Sequence, residues 1–274
     1  CALPICDLST HHNEALYRWV TGVGIERLVS DTDTVLSQKL KFGRAQDSPR
    51  IDRFYFLEFD RSARTTDLSR SESTAYSANM NWSWRDVDNP LLPTEGWTLS
   101  LQTGGGTARA SSGISGGFAR AYARLTGYLP LGDRWYSQAR VEVGREATQG
   151  GLEVQESLRY RAGGDESVRG YGYRTIVPTV DGVVGSGNAL MTASVELARP
   201  FVDSMPSLWG AVFVDAGNAT ENFKDYKPYV GSGVGLRWRS PVGPLRLDLA
   251  WAHQLRHARS EEHTSELQSR GLIS

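Results

Sequence analysis

The sequence contains no run of eighteen apolar residues, which excludes an ordinary transmembrane helix. Cysteine is nearly absent: the only two, Cys1 and Cys6, lie within the first six positions, so neither a disulfide framework nor a Cys-based metal site can be built. An excess of either charge is lacking too. With 30 Lys plus Arg against 31 Asp plus Glu, the formal net charge is -1, and net charge steers no nucleic acid to the chain. Catalytic constellations are missing as well. Gly104-Gly105-Gly106 has no Lys-Ser/Thr at phosphate-loop spacing and reads as a turn or small-residue strand end. His11 and His12 are adjacent, so on a strand they point to opposite sides, a poor geometry for a metal. Ser167 has no His within its motif and the carboxylates are scattered without a paired site. The expectation is a protein that is not an enzyme, with no cofactor and no metal.

What the chain has instead is glycine, aromatics and alternation: 29 Gly, 8 Trp and 11 Tyr, with 39% hydrophobic residues. From Ser77 to Arg85, Ala78, Met80, Trp82 and Trp84 fall on one face, and Ser77, Asn79, Asn81, Ser83 and Arg85 on the other. That is the period-two pattern of a strand. Its hairpin partner, with Trp97, Leu99 and Leu101 against Thr98, Ser100 and Gln102, follows a turn punctuated by Pro90, Pro93 and Gly96. The pattern recurs in 16–28, 53–59, 119–129, 135–143, 189–197, 209–215, 230–238 and 245–251. In 119–129, Arg120, Tyr122 and Arg124 oppose Ala119, Ala121, Ala123 and Leu125, which suggests a wet interior. These segments amount to on the order of eleven strands of roughly ten residues, the length a tilted strand needs to cross a bilayer. Trp84, Trp97, Trp135 and Trp238 near strand ends fit an interfacial aromatic girdle. A soluble sandwich or propeller also alternates, but with shorter strands and more charged outer faces.

Both ends read as laboratory sequence. Residues 259–269, RSEEHTSELQS, resemble the translation of a sequencing-adapter oligonucleotide, and residues 1–5, CALPI, resemble the opposite-end adapter. Cys1 would then be adapter-encoded and Cys6 would straddle the junction. The expected division is 1–6 adapter-like, 7–258 a partial outer-membrane barrel domain, and 259–274 adapter-like tail.

Four stretches carry a family resemblance. WSWRDVDNPLLPTEGWTL (Trp82 to Leu99), GGDESVRGYGYRTIVP (Gly163 to Pro178), FVDAG (Phe213 to Gly217) and GSGVGLRWRSPVGPLRLDLA (Gly231 to Ala250) resemble, in order and spacing, the bacterial surface antigen domain, the barrel of the outer-membrane assembly factors. The Gly-Asp ahead of the Val-Arg-Gly-Tyr core and the Gly-Tyr after it are more similar to the TamA branch than to the BamA branch. The resemblance implies an all-β, transmembrane, antiparallel β-barrel, sixteen-stranded in the family and preceded by POTRA domains, with a weak seam between its first and last strands. It implies no enzymatic turnover. Here the set of strands is incomplete, at about eleven or twelve. The final aromatic-ended strand is expected after LRLDLAWAHQ, and the first strands and POTRA domains upstream of about Leu8. Lipid-exposed sheet edges are forbidden, so such a set does not close by itself.

In the family the Val-Arg-Gly-Tyr loop folds into the lumen. The resemblance assigns a loop lock to Val168, Arg169, Gly170, Tyr171, Glu196 and Asp215, and further motif positions to Gly163, Gly164, Asp165, Phe213 and Gly217. Alternation supports two of these independently: Glu196 shares parity with Thr192 and Ser194, and Asp215 opposes Val212 and Val214. A guanidinium can bond two carboxylates at once, glycines let the backbone approach the wall, and Tyr171 and Tyr173 can fill space against it.

The implied function is that of a translocation and assembly module subunit in the bacterial outer membrane, inserting or assembling β-barrel and autotransporter proteins without energy input. Implied partners are the lipid bilayer, a TamB-like periplasm-spanning protein and client outer-membrane proteins. Alternatives are a two-partner-type secretion pore, a passive porin, which the inward loop argues against, and the barrel anchor of a patatin-like lipase.

Overall fold

The computed structural model describes residues 6–13, 16–29, 33–66, 70–132, 134–149, 159–180, 183–201, 204–240 and 243–254. The adapter-like stretches 1–5 and 259–269 lie outside them. The strands are β1 (Cys6–Ser9), β2 (Tyr17–Val29), β3 (Asp33–Asp47), β4 (Ile51–Thr66), β5 (Arg70–Val87), β6 (Gly96–Ala110), β7 (Ser115–Leu131) and β8 (Trp135–Thr148). Then come β9 (Thr179–Val180), β10 (Val183–Val184), β11 (Ala189–Pro200), β12 (Leu208–Thr220), β13 (Tyr229–Ser240) and β14 (Gly243–Ala252). Twelve of them form one antiparallel sheet in the order β1-β2-β3-β4-β5-β6-β7-β8-β11-β12-β13-β14, and β9 and β10 form a hairpin of their own. This is the expected all-β architecture with the expected number of strands. Among the described residues, β1 and β14 each pair on one side only.

Alternation sorts the two faces as the sequence reading requires. Val195, Val212, Val214, Leu247, Leu249 and Trp251 lie exposed on the outside, whereas Thr192, Ser194, Asp215, Glu142 and Glu146 are buried on the inside. An apolar outer face and a polar inner one suit a wall between lipid and a wet lumen. Among the described residues no helix is long and apolar enough to cross a membrane.

Three expectations are corrected. First, β3 carries the alternation of Leu36, Leu40 and Phe42 outward against Ser37, Lys39 and Lys41, yet it is absent from the expected strands, as is the four-residue β1. Second, ten of the twelve strands of the sheet are longer than ten residues, reaching 18 in β5. The surplus is polar: near the β4–β5 turn, Arg61 and Arg70 both pair with Glu72, so this hairpin extends past the apolar band. Third, Gly104 to Gly106 form no turn and sit inside β6. A Cβ at Gly106 would collide with the Tyr76 carbonyl of the neighbouring strand, which accounts for glycine mid-strand.

The connection 149–188, between β8 and β11, is by far the longest. Long loops are extracellular and short turns periplasmic in such barrels, which orients the sheet. The polar β4–β5 hairpin projects at that same end. The β5–β6 connection lies at the opposite, short-turn end, where Arg239 Nη2 of β13 donates to the Leu92 carbonyl at 2.6 Å. This connection straps the lumen mouth from one part of the wall to another.

Candidate functional site

Within this connection, residues 159–180 turn inward. Tyr160 and Ala162 bridge to Gly187 and Ile176, closing the base of the loop. Val168, Ala162, Ile176, Leu190 and Ala219 then pack with Tyr160 into a small apolar cluster between loop and wall. Val168 is fully buried there, which fixes the direction of the following residue.

That residue is Arg169, and the inner wall of β11 and β12 receives it. Its Nε and Nη2 donate to the two oxygens of Asp215 at 2.7 and 2.9 Å, in the parallel fork geometry that lysine cannot make. Its backbone N–H also donates to Asp215, at 3.0 Å. Nη1 reaches Glu196 Oε2 at 2.9 Å and Asp248 Oδ2 at 3.3 Å, and Nη2 reaches Ser194 Oγ at 3.3 Å. Beneath the guanidinium lies the Phe213 ring, with Cζ 3.4 Å from its centroid, a cation–π contact. Burial works against the charge on Arg169, but the Asp215 and Glu196 carboxylates outweigh it and raise its pKa above the ordinary arginine value.

A second arginine completes the seat. Arg237 of β13 donates through Nε and Nη2 to Glu196 at 2.8 and 2.7 Å, and through Nη1 to Asp248 of β14. Two guanidiniums and three carboxylates drawn from the loop and four successive strands thus form one network. Arg237 and Asp248 were not among the expected residues, although alternation carried the signal. Arg237 shares parity with Gly231, Gly233 and Gly235, and Asp248 faces inward between the outward Leu247 and Leu249.

Glycine does a specific job at two places. A Cβ at Gly231 would clash with the Arg169 carbonyl oxygen, so the loop backbone lies directly on β13. Gly170, at φ +94°, presses against the backbone of Trp251 and Ala252, in a conformation L side chains rarely adopt. Gly163 and Gly164 also hold positive φ, and Gly217 faces Val168. Tyr171 donates its hydroxyl to the Val230 carbonyl at 3.1 Å and meets Tyr229 edge-on. Tyr173 does not fill space against the wall; it is 73% exposed, because the chain turns away through Gly172 to Thr175. Asp165 is also exposed at the loop tip, apart from the network.

The loop has a second foothold on β7 and β8. Arg140 Nη2 donates to the Ser167 carbonyl at 3.2 Å, and Glu166 lies 3.7 Å from Arg124 and 3.8 Å from Arg140. The Tyr160 hydroxyl donates to the Ala121 carbonyl at 3.0 Å while its ring covers Gly144. Among the described residues no group of His, Cys, Asp and Glu is arranged to hold a metal ion. In the network on β11 to β14 both guanidiniums meet carboxylates.

The Omp85 superfamily domain matches residues 17–268. Outer envelope protein 39, chloroplastic, from Arabidopsis thaliana is 32% identical over 152 residues, covering 52% of this chain and 33% of that protein. Two solved structures share the fold. BamA from Haemophilus ducreyi lacking POTRA domains 1-3 superposes with a TM-score of 0.58 at 18% identity, over 92% of this chain and 66% of that one. CdiB from Acinetobacter baumannii gives a TM-score of 0.52 at 15% identity, over 88% of this chain and 44% of that one. The chain spans about a third of the length of the plant relative.

Proposed function

Because this chain belongs to the Omp85 superfamily and is an outer-membrane β-barrel chain, we propose that it acts in inserting or assembling β-barrel proteins, as the barrel of a TamA-like subunit. The observation that carries this reading is the loop seated inside the lumen on the inner wall of β11 to β14. A loop held against β11 to β14 stiffens that part of the wall. The weak seam that the family resemblance implies between the first and last strands of the whole barrel would offer unpaired backbone groups, a template on which an incoming strand can add by β-augmentation. No step requires a nucleotide or a bond cleavage, which agrees with a wall whose buried polar groups serve structure.

In this reading Val168, Arg169, Gly170, Tyr171, Glu196 and Asp215, joined by Arg237 and Asp248, lock the loop to the wall. A TamB-like protein on the short-turn side and client outer-membrane proteins are the proposed partners. The test is reconstitution of the protein into liposomes with a urea-denatured outer-membrane client, scored by the protease-resistant fraction of the client. A rise over protein-free liposomes, with no added nucleotide, is the expected result. Passage of a single partner chain into the vesicle lumen, with no gain in folded client, would instead identify a secretion pore.

A further inference from the structure

The outer face of β11 to β14 near the short-turn end carries a feature that neither the loop seat nor a strand template uses. Registers place Arg199, Gly210, Leu236 and Leu247 in one row across four strands. The adjoining row, deeper in the wall, is Leu197, Val212, Val234 and Leu249. On the other side Phe201 folds back over Gly210, its ring 3.5 Å from where a Cβ would stand. The glycine therefore opens a trough between two apolar banks, a groove of about 470 Å³ on the lipid-facing surface.

One end of this groove is not apolar. Arg199 lies there, its Cζ 5.1 Å from the centroid of the exposed Trp135 ring. Its Nε is buried without a hydrogen-bond partner among the described residues. A cation on the lipid side of a barrel is unfavourable unless it reaches the interface and finds a counter-charge. Arg199 is one residue from the end of β11 and beside the first residue of β8, at the level where Trp135 and Trp238 mark the interface.

We propose that this groove binds one phospholipid, its phosphodiester on the Arg199 guanidinium and one acyl chain along the trough floored by Gly210. Lipid tails are as apolar as the leucines they touch, so contact with the banks alone does not select a ligand. Selection comes from the guanidinium, whose forked donors match a phosphate. The site needs only that this face meets lipid and is independent of how the protein treats its clients. Long loops on the opposite side place it toward the periplasmic leaflet.

Native mass spectrometry of the chain in detergent micelles, titrated with phosphatidylglycerol, tests the assignment. The wild-type chain should retain one lipid through activation that strips the rest. Arg199→Gln should weaken that retention about tenfold, the loss of one charge-assisted contact. Gly210→Leu, which keeps the cation and fills the trough, should weaken it as well, and provides an independent arm should the Arg199 variant fold poorly. Diacylglycerol, which has the tails without the phosphate, should not be retained. Equal retention by wild type and both variants, or equal retention of diacylglycerol, overturns the proposal and leaves an ordinary lipid annulus.

Discussion

The inner wall carries two sets of ion pairs made of the same chemistry in opposite surroundings. On β2 to β5, Arg18 meets Asp47 at 2.6 Å and Arg85 meets Asp52 at 2.6 Å, with every partner at least 30% exposed. On β11 to β14, Arg169 meets Asp215 at 2.7 Å with side chains 7% and 0% exposed. The distances are nearly the same; what differs is the loop lying over the second set. Water that solvates the open pairs competes with them and leaves them weak, whereas a buried carboxylate deprived of its partner is left with none. In the proposed reading the inward loop turns an ordinary lumenal charge pattern into a structural joint. Distance alone does not report that.

The sharpest way to break this comparison is to truncate one arginine from each set. Arg169→Ala removes the forked partner of Asp215 and one partner of Glu196, and should cost about 3 to 5 kcal/mol, as for a buried pair broken from one side. Arg18→Ala should cost no more than about 1 kcal/mol. Urea unfolding in detergent micelles, followed by loss of the heat-modifiable band, measures both. Charge reversal by Arg169→Glu should leave little protease-resistant barrel in membranes, and wild-type levels would sink the loop lock.

Backbone proximity gives a second, smaller contrast. Gly231→Ala drives a methyl into the Arg169 carbonyl, so loop or strand must shift, at about 1 to 3 kcal/mol. Gly127→Ala, where a Cβ would meet nothing within 4 Å, should change stability by no more than about 0.5 kcal/mol. If the two alanines behave alike, the loop does not lie on β13 in the folded protein.

Much of this was legible in the sequence, because period-two alternation is a local property. It separates Val195 from Glu196 and Val214 from Asp215 without knowledge of any neighbour. The partners of Arg169 were read only through the family resemblance, and the partner of Arg237 was not legible, since Arg237 reaches Glu196 only through the registers of β11 with β12 and β12 with β13. The β3 alternation was present but interrupted by the outward, polar Gln38 between Leu36 and Leu40, while the inward Lys39 and Lys41 pair with Glu26 and Asp7 across the sheet. Tyr173 misled for a different reason. Its spacing matched Tyr171, but Arg174 adopts a left-handed conformation at φ 57° and the chain leaves the wall there. The contact between Leu92 and Arg239 joins residues 147 positions apart and has no local signature at all.

That contact is also where the two halves of the comparison meet, and it supplies the finest test. The strap between β5 and β6 is shaped by Asp88, which accepts from the Thr94 hydroxyl at 2.6 Å and from the backbone N–H groups of Thr94 and Glu95 at 2.8 and 3.1 Å. Slight burial works against its charge, but the Thr94 and Glu95 donors prevail and hold its pKa at about 2. A carboxylate lowered on folding stabilises fully above its unfolded value of about 3.9, and that contribution fades as pH falls through the folded value. The difference in urea midpoint between wild type and Asp88→Asn should therefore be constant above about pH 5, shrink below about pH 4 and vanish only as the pH falls below the folded value of about 2. The effect should be small, because the turn is solvent-exposed. Restoring it should require both the carboxylate and Thr94: Thr94→Val should give a smaller midpoint gap and a folded Asp88 pKa closer to 3.9. A gap that persists unchanged below pH 2 would mean that the Asp88 charge plays no part in shaping the strap, which would then rest on Pro90 and Pro93.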